Sequence, residues 1–508
     1  MNQRNTSSGV HSTAHDPSES LRPGQLGLAG VVFFVVAAAG PLVGMTGALP
    51  PSIALGSGAA APGAYLVVGL TLLLFSVGYA AMSHQVTNAG AFFAYIGRGL
   101  GPDFGVASAF VSILAYLTIQ LSIYGFFGGL MAGQLGILPW WGWTTVAWVL
   151  VTLLSLCQVD VGAKILGLLS ILEVLSLLVT AAAILISGGP EGIHFAASFT
   201  PSAIFAGGLT GSAGIALAFG FASFIGFEAT AIYGEESKDP KTVVPRATYL
   251  SVCVITLLFA LTSFAVVTGL GASKVVEKTL ELTTVNKVPL TDPAAVIFHL
   301  ATQYVGSWMA TTMSILVLSS LFAGILAFQN SASRYFFALS RGGELPHLLS
   351  KVNKFGAPGN AAVLTSLLAG LVILIFSVAG LDPILNMFFW FSGMAVVAIV
   401  LIEILVCFAV VAFFHRHPGE VGFFTGKVAP LLAMMGLVLG QYLLMSRFGL
   451  LSGAVAADVD PTTTQWGLNG LGWSLVMLPF CVLALGFLYS NLVHKPKREL
   501  VRDALAYE

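Results

Sequence analysis

The stretch that decides the fold reads Gly40-Pro41-Leu42-Val43-Gly44-Met45-Thr46-Gly47. A second stretch, Gly220-Phe221-Ala222-Ser223-Phe224-Ile225-Gly226-Phe227-Glu228, has the same broken character. Both interrupt long apolar runs, near residues 27–57 and 204–234. Glycine costs about 1 kcal/mol in a helix interior, and proline removes a backbone donor and clashes one turn back. Taken singly, either stretch reads equally as a kink, a close-packing site or a break whose freed backbone groups serve a ligand. Their surroundings separate these readings.

The chain has 508 residues, of which 57% are apolar and 8% charged. An average soluble protein carries roughly 25% charged residues, so too little polar surface remains for a water-facing exterior. This composition is that of an integral membrane protein, with the lipid bilayer as its solvent. Lys and Arg total 21 against 22 Asp and Glu, a net charge of −1, so nothing points to a nucleic-acid partner. Cys157, Cys253, Cys407 and Cys481 lie scattered with no CxxC spacing, which excludes a disulfide framework and a zinc-ribbon site.

A helix needs about 20 apolar residues to cross the hydrocarbon core. Twelve runs qualify, near 27–57, 62–83, 104–132, 139–157, 162–187, 204–234, 247–270, 305–338, 361–379, 383–414, 428–447 and 468–492. They are continuously apolar rather than alternating, which favours helices over a β-barrel. Residues 1–25 read as a disordered polar tail, 26–492 as the membrane domain and 493–508 as a second tail. No short apolar region with a cleavage site precedes the first span, so no cleaved signal peptide is expected. With twelve spans both termini share one side, which collects 17 of the basic residues against four on the other: Lys274, Lys278, Lys287 and Arg447. The positive side is cytoplasmic, so both termini are expected in the cytoplasm and 271–304 forms the largest external loop.

The two broken stretches fall in spans one and six, at matching places in two five-span halves, about 26–187 and 204–414, with two more helices over 427–492. Non-helical backbone at membrane depth survives only where it is buried in protein or lines a polar cavity. Paired breaks of this kind are the sequence signature of an inverted-repeat secondary transporter. The expected fold is therefore all-α: twelve transmembrane helices in a LeuT-like 5+5 inverted repeat, with helices 1 and 6 discontinuous.

Three further stretches carry a family resemblance. Gly226-Phe227-Glu228, Glu235-Glu236-Ser237-Lys238-Asp239-Pro240 and Val244-Pro245-Arg246-Ala247 resemble the sixth-span exit and following cytoplasmic loop of the amino acid–polyamine–organocation permeases. Thr87-Asn88-Ala89-Gly90-Ala91-Phe92-Phe93-Ala94-Tyr95, leading to Arg98 and Gly101, is similar to that family's loop between spans two and three. Ser333-Arg334, Ala338-Leu339-Ser340-Arg341, Gly343-Glu344-Leu345-Pro346 and Pro358 resemble the loop after span eight. In physical terms all three lie where charge is hydrated, and Pro245 is expected to open span seven, where a missing N–H costs nothing.

The resemblance implies a central substrate site between the breaks of spans one and six, completed by spans three, eight and ten. On span one this places Ala39, Gly40, Pro41, Val43 and Gly44 at the substrate. Relatives that carry α-amino acids usually have a Gly-Ser-Gly-like run there, whose N–H groups hold the carboxylate. Here Pro41 cannot donate and no hydroxyl comes before Thr46, a departure that favours an amine without a carboxylate. On span three the implied contacts are Ala115, Tyr116 and Gln120, with Tyr124 one turn on. For Gln120 a helix–helix hydrogen bond is the open alternative. On span six they are Phe221, Ser223, Phe224, Gly226 and Phe227.

Three carboxylates lie within apolar runs. A charge at mid-bilayer costs at least about 2.5–3.5 kcal/mol, so such a group is normally functional or paired. Glu173 sits mid-span in Leu169-Ser170-Ile171-Leu172-Glu173-Val174-Leu175-Ser176 with no basic residue nearer along its helix than Lys164. It must be neutral, paired across helices, or matched to a cation that comes and goes. Some relatives hold a lysine at this place that stands in for sodium; with glutamate that mechanism does not carry over. Proton coupling or amine binding is one reading of Glu173, and a hydrogen bond to Ser170 or Ser176 is the other. Glu228 follows the span-six break, where relatives often have an acid resembling a gate or proton sensor. Its alternative is to accept the N–H groups that the break exposes. Glu403 matches no family role and reads as a buried polar contact.

The leading expectation is a multi-pass transporter of the cell membrane that imports an amino acid or organic amine, polyamines included, by proton symport with alternating access. An obligate exchanger is the alternative within this class, and a non-transporting receptor on the same fold is a third reading. Sodium coupling, through hydroxyls such as Ser314, Ser319 and Ser320, is a weaker option. An enzyme is disfavoured, because no nucleophile with a neighbouring base and no phosphate-binding loop is seen. No cofactor and no metal site are expected.

Overall fold

In the computed structural model, the described residues are 27–85, 91–157, 160–228, 230 and 237–493. Both tails, the motif residues Thr87 to Gly90, and Glu235 and Glu236 lie outside them. Among the described residues, ten helices are long and apolar enough to cross a membrane. A helix pair over 201–224, bent by 115°, raises that number to 11.

The first span is helix α1 (Leu28–Ala39), a break at Gly40, and α2 over residues 41–57. Helix α3 (Ala61–Ser83) follows after a kink at Gly56. Next come α4 (Ala91–Leu100), α5 (Pro102–Leu135), α6 (Trp140–Cys157) and α7 (Asp160–Ser187). Helix α8 (Ala213–Phe224) enters the second break, and α9 (Pro240–Leu270) leads away from it. The remainder is α10 (Ser307–Arg341), α11 (Gly359–Val378), α12 (Pro383–Arg416), α13 (Phe424–Ser446) and α14 (Gly470–Val493).

Burial explains these helices better than local propensity does, because in lipid every backbone group must be satisfied within its segment. On α7 the exposed residues Leu168, Ile171, Leu172, Leu175 and Val179 recur at helical spacing, while Ser170, Glu173, Ser176, Leu177 and Thr180 are buried on the opposite face. One face is built for lipid and the other for the bundle. Helix α5 differs: almost every residue from Gly105 to Gly128 is buried, so it runs through the middle of the protein. It packs against α10, α12 and α14, whereas α3 packs along α9 and α13. Helix α1 lies between α9, α10 and α7.

One expected boundary moves. Helix α9 begins at Pro240 rather than at Pro245, which lies inside it. Asp239 precedes the helix and takes a 2.7 Å bond from the Thr242 hydroxyl. Pro240 therefore fills the first-turn place where a missing donor is harmless. In the 271–304 connection, two short helices form, Val275–Thr283 and Ala295–Tyr304, the second starting just after Pro293. Glu191 pins this connection to the one before span six. It accepts the Ser273 N–H at 2.9 Å and the Ser273 hydroxyl, bonds that hold its carboxyl below the usual carboxylate range.

Candidate functional site

The first break is narrower than the glycine-rich run around it. Only Gly40 leaves helical geometry, with φ 52° and ψ 69°, a left-handed conformation that suits glycine. Pro41 then occupies the first position of α2, so the proline starts a half-helix rather than bending one. At the second break α8 stops at Phe224, Ile225 leaves helical geometry with φ −56° and ψ 126°, and Gly226 takes φ +114°. Gly220 to Phe224 remain helical, so this break too is shorter than the stretch that signalled it.

The two breaks touch. A Cβ placed on Gly226 would lie 3.1 Å from Ala38 Cβ, and one on Gly44 would lie 3.3 Å from Ser223 Oγ. Between them lies a partly open cavity, with about 550 Å³ of empty space that includes its solvent-open mouth. Span one contributes Ala38, Ala39, Gly40, Val43, Gly44 and Ala48 to its wall. Phe219, Ala222, Ser223 and Ile225 come from span six, and Ile119, Ser122 and Ile123 from α5. Helix α10 supplies Ser320, Leu321, Gly324 and Phe328, and α12 supplies Phe388 and Ser392.

Of the expected contacts, Ala39, Gly40, Val43, Gly44 and Ser223 therefore share one cavity. Pro41 is buried beside it without lining it. Ala115, Tyr116 and Gln120 are buried on other faces of α5. Gln120 Nε2 donates to Gln329 Oε1 at 2.8 Å, and Gln329 Nε2 donates onward to the Ala362 carbonyl and the Ser366 hydroxyl. That is the helix–helix bond of the alternative reading. Phe221 presses on Gly440 of α13, Phe224 meets Phe259 edge-on, and Phe227 meets Phe75 likewise. None of these three rings lines the cavity. Ser122, Ser392, Phe219, Phe328 and Phe388 also form the wall with no sequence feature marking them, and Ser320 reads from sequence only as a sodium candidate. On α5 no signal was available, because a helix buried on all sides has no amphipathic period.

Glu173 is 1% exposed and stands behind the cavity wall. It lies against the Ser320 hydroxyl and the Leu42 N–H, the latter in the first turn of α2. Its Oε2 has no hydrogen-bond partner among the described residues. Ser176 donates to the Glu173 backbone carbonyl at 2.8 Å, not to its carboxylate. Glu228 is fully buried and well partnered: Oε2 accepts the Gly226 N–H at 2.9 Å and Oε1 the Tyr116 hydroxyl at 2.8 Å. Its backbone carbonyl takes the Tyr79 hydroxyl at 2.9 Å. Tyr116 in turn stacks on Phe328 of the cavity wall, with ring centroids 6.2 Å apart. Glu403 is buried within electrostatic reach of Glu228, and its Oε2 is unpartnered among the described residues. No cluster of His, Cys, Asp and Glu that could hold a metal occurs among the described residues.

Comparison with known proteins settles the family. The amino acid permease family model matches residues 30–468. This chain belongs to the amino acid permease family. It is accordingly a multi-pass membrane transporter and not an enzyme. Among curated relatives, the aromatic amino acid transport protein AroP of Escherichia coli O6:H1 is 25% identical over 352 residues, 66% of this permease and 72% of AroP. The serine/threonine exchanger SteT of Bacillus subtilis is 23% identical over 325 residues, covering 62% of this permease and 69% of SteT. An uncharacterized transporter of Legionella pneumophila is 27% identical over 189 residues, and that match spans only 37% of either chain.

Proposed function

We propose that this permease imports an amino acid or organic amine across the cell membrane by proton symport, with alternating access to the cavity between the two breaks. Counting 28–57 as one broken span, 61–83 as the second and the segment around 213–228 as part of the sixth gives twelve spans. On this reading they form a LeuT-like 5+5 repeat with both termini cytoplasmic. Ala39, Gly40, Val43, Gly44 and Ser223 contact the substrate, and Glu173 is the coupling group.

The observation that carries the proposal is Glu173. A carboxyl group at this depth, one oxygen without a partner, is costly unless it serves a function. It touches α10 through Ser320 and the first break through Leu42. A proton arriving at or leaving that carboxyl therefore alters the contact between a half-helix and its neighbour, which is the local event that a coupled transporter needs. Glu228, by contrast, spends both oxygens on the second break and on Tyr116, a placement suited to a gate held by protein contacts. The relatives' names divide between a transport protein and an exchanger; the buried acid favours symport.

Proteoliposomes loaded with a pH-sensitive dye test the reading. An inward proton gradient should drive substrate accumulation, and substrate added without a gradient should acidify the lumen. Uptake that depends only on substrate preloaded inside, with no proton movement, would establish exchange instead.

A further inference from the structure

The cavity presents hydrogen-bond acceptors and almost no donors. Each of its four serine hydroxyls already has its proton engaged within the protein. Ser122 donates to the Ile119 carbonyl at 2.9 Å, Ser223 to that of Phe219 at 2.8 Å and Ser392 to that of Phe389 at 3.2 Å. Ser320 lies against Glu173. A hydroxyl whose hydrogen is engaged still offers lone pairs, so what these groups turn to a ligand is acceptor capacity.

The backbone at the breaks follows the same rule. The first N–H groups of a helix are free and attract anions, whereas the last carbonyls attract cations. At the start of α2, Pro41 has no N–H and the Leu42 N–H faces the carboxylate of Glu173. At the second break the Gly226 N–H is taken by Glu228 Oε2. The protein's own two acids thus stand where a bound carboxylate would be held. The C-terminal ends of α1 and α8, where helix carbonyls gather, lie at the cavity instead, through Ala38, Ala39, Ala222 and Ser223, and the Ala222 carbonyl, which accepts the Ile225 N–H at 3.3 Å, keeps a second lone pair.

Resting on the transporter reading above, we infer that the substrate is a protonated amine with an apolar body and no carboxylate, rather than a zwitterionic amino acid. Its ammonium would bond the helix-end carbonyls and serine oxygens. Phe219, Phe328 and Phe388 would enclose its body and offer ring faces to the charge. A diamine fits less well, because no carboxylate lines the cavity to pair with its second ammonium.

A matched pair of ligands tests this on the intact protein in lipid nanodiscs. Calorimetric titration of 2-phenylethylamine and of phenylalanine compares molecules that differ only by the carboxylate, and phenylalanine methyl ester masks that charge. The amine and the ester should bind, and phenylalanine should bind about tenfold or more weakly, the loss that an unsatisfied buried polar group brings. Phenylalanine binding as tightly as the amine, or another amino acid binding more tightly than any monoamine, would overturn the substrate class while leaving a transporter in place. If proteoliposomes moved no amino acid, monoamine or diamine at all, the transport reading would fall together with it.

Discussion

The Tyr116 hydroxyl donates to Glu228 Oε1 at 2.8 Å, tying the central helix α5 to the broken backbone of span six. Because Glu228 also accepts the Gly226 N–H, Tyr116 braces the break through the acid rather than reaching the cavity itself. Tyr116→Phe keeps the ring against Phe328 and removes only this bond. It should lower the stability of the purified protein by about 1–3 kcal/mol, as for a hydrogen bond to an ionisable partner, with ligand affinity unchanged. Thermal unfolding and calorimetric titration of the same sample check both halves.

Gln120 is buried in a polar bridge to Gln329 and away from the cavity. Gln120→Leu leaves Gln329 Oε1 without a donor, and an unsatisfied buried acceptor costs about 1–3 kcal/mol. The variant should melt at a lower temperature and bind substrate as the parent does. A large loss of affinity without a loss of stability would instead place Gln120 at the ligand.

Gly226 combines φ +114° with close contact to Ala38. A side chain there is strained by about 1–3 kcal/mol before any clash is counted, and it pushes against the first break. Gly226→Leu should insert into the membrane, as judged by expression and fractionation, yet show no uptake in a radiolabel assay.

The charge asymmetry makes a topological prediction. A cysteine placed at Lys278 should react with an impermeant thiol reagent in intact cells, and one at Lys241 should react only after permeabilisation. The opposite pattern would invert the protein.

How much was legible in the sequence depended on whether a helix has two unlike faces. Glu173 was readable as a group needing a role because it is an acid in an apolar run with no basic neighbour along its helix, and the structure adds that it shares a face with buried Ser170 and Ser176, opposite exposed Leu168, Ile171, Leu172 and Leu175. On α5 the side facing the cavity was not readable: Gln120 and Tyr116 attract notice as polar residues in an apolar run, but Ile119, Ser122 and Ile123 form the wall. Breaks were visible and their edges were not. Pro41 announces an interruption, yet a proline at the first helical position begins a helix, so the disruption falls on Gly40. The same rule moved the start of α9 from Pro245 to Pro240. Glu228 caps its own break from two residues away and is readable as such, whereas the approach of Glu173 to Leu42 depends on tertiary contact, which no local pattern encodes.

Whether Glu173 carries the coupling proton is decided by proton-driven accumulation in Glu173→Gln. Glutamine keeps the size of the side chain and can still meet Ser320 and Leu42, but it cannot take up or release a proton. In proteoliposomes this variant should lose accumulation driven by a pH gradient and keep counterflow exchange of labelled substrate. Parental accumulation with the parental pH profile would contradict this, leaving Glu173 a structural group and Glu228 the better candidate for coupling.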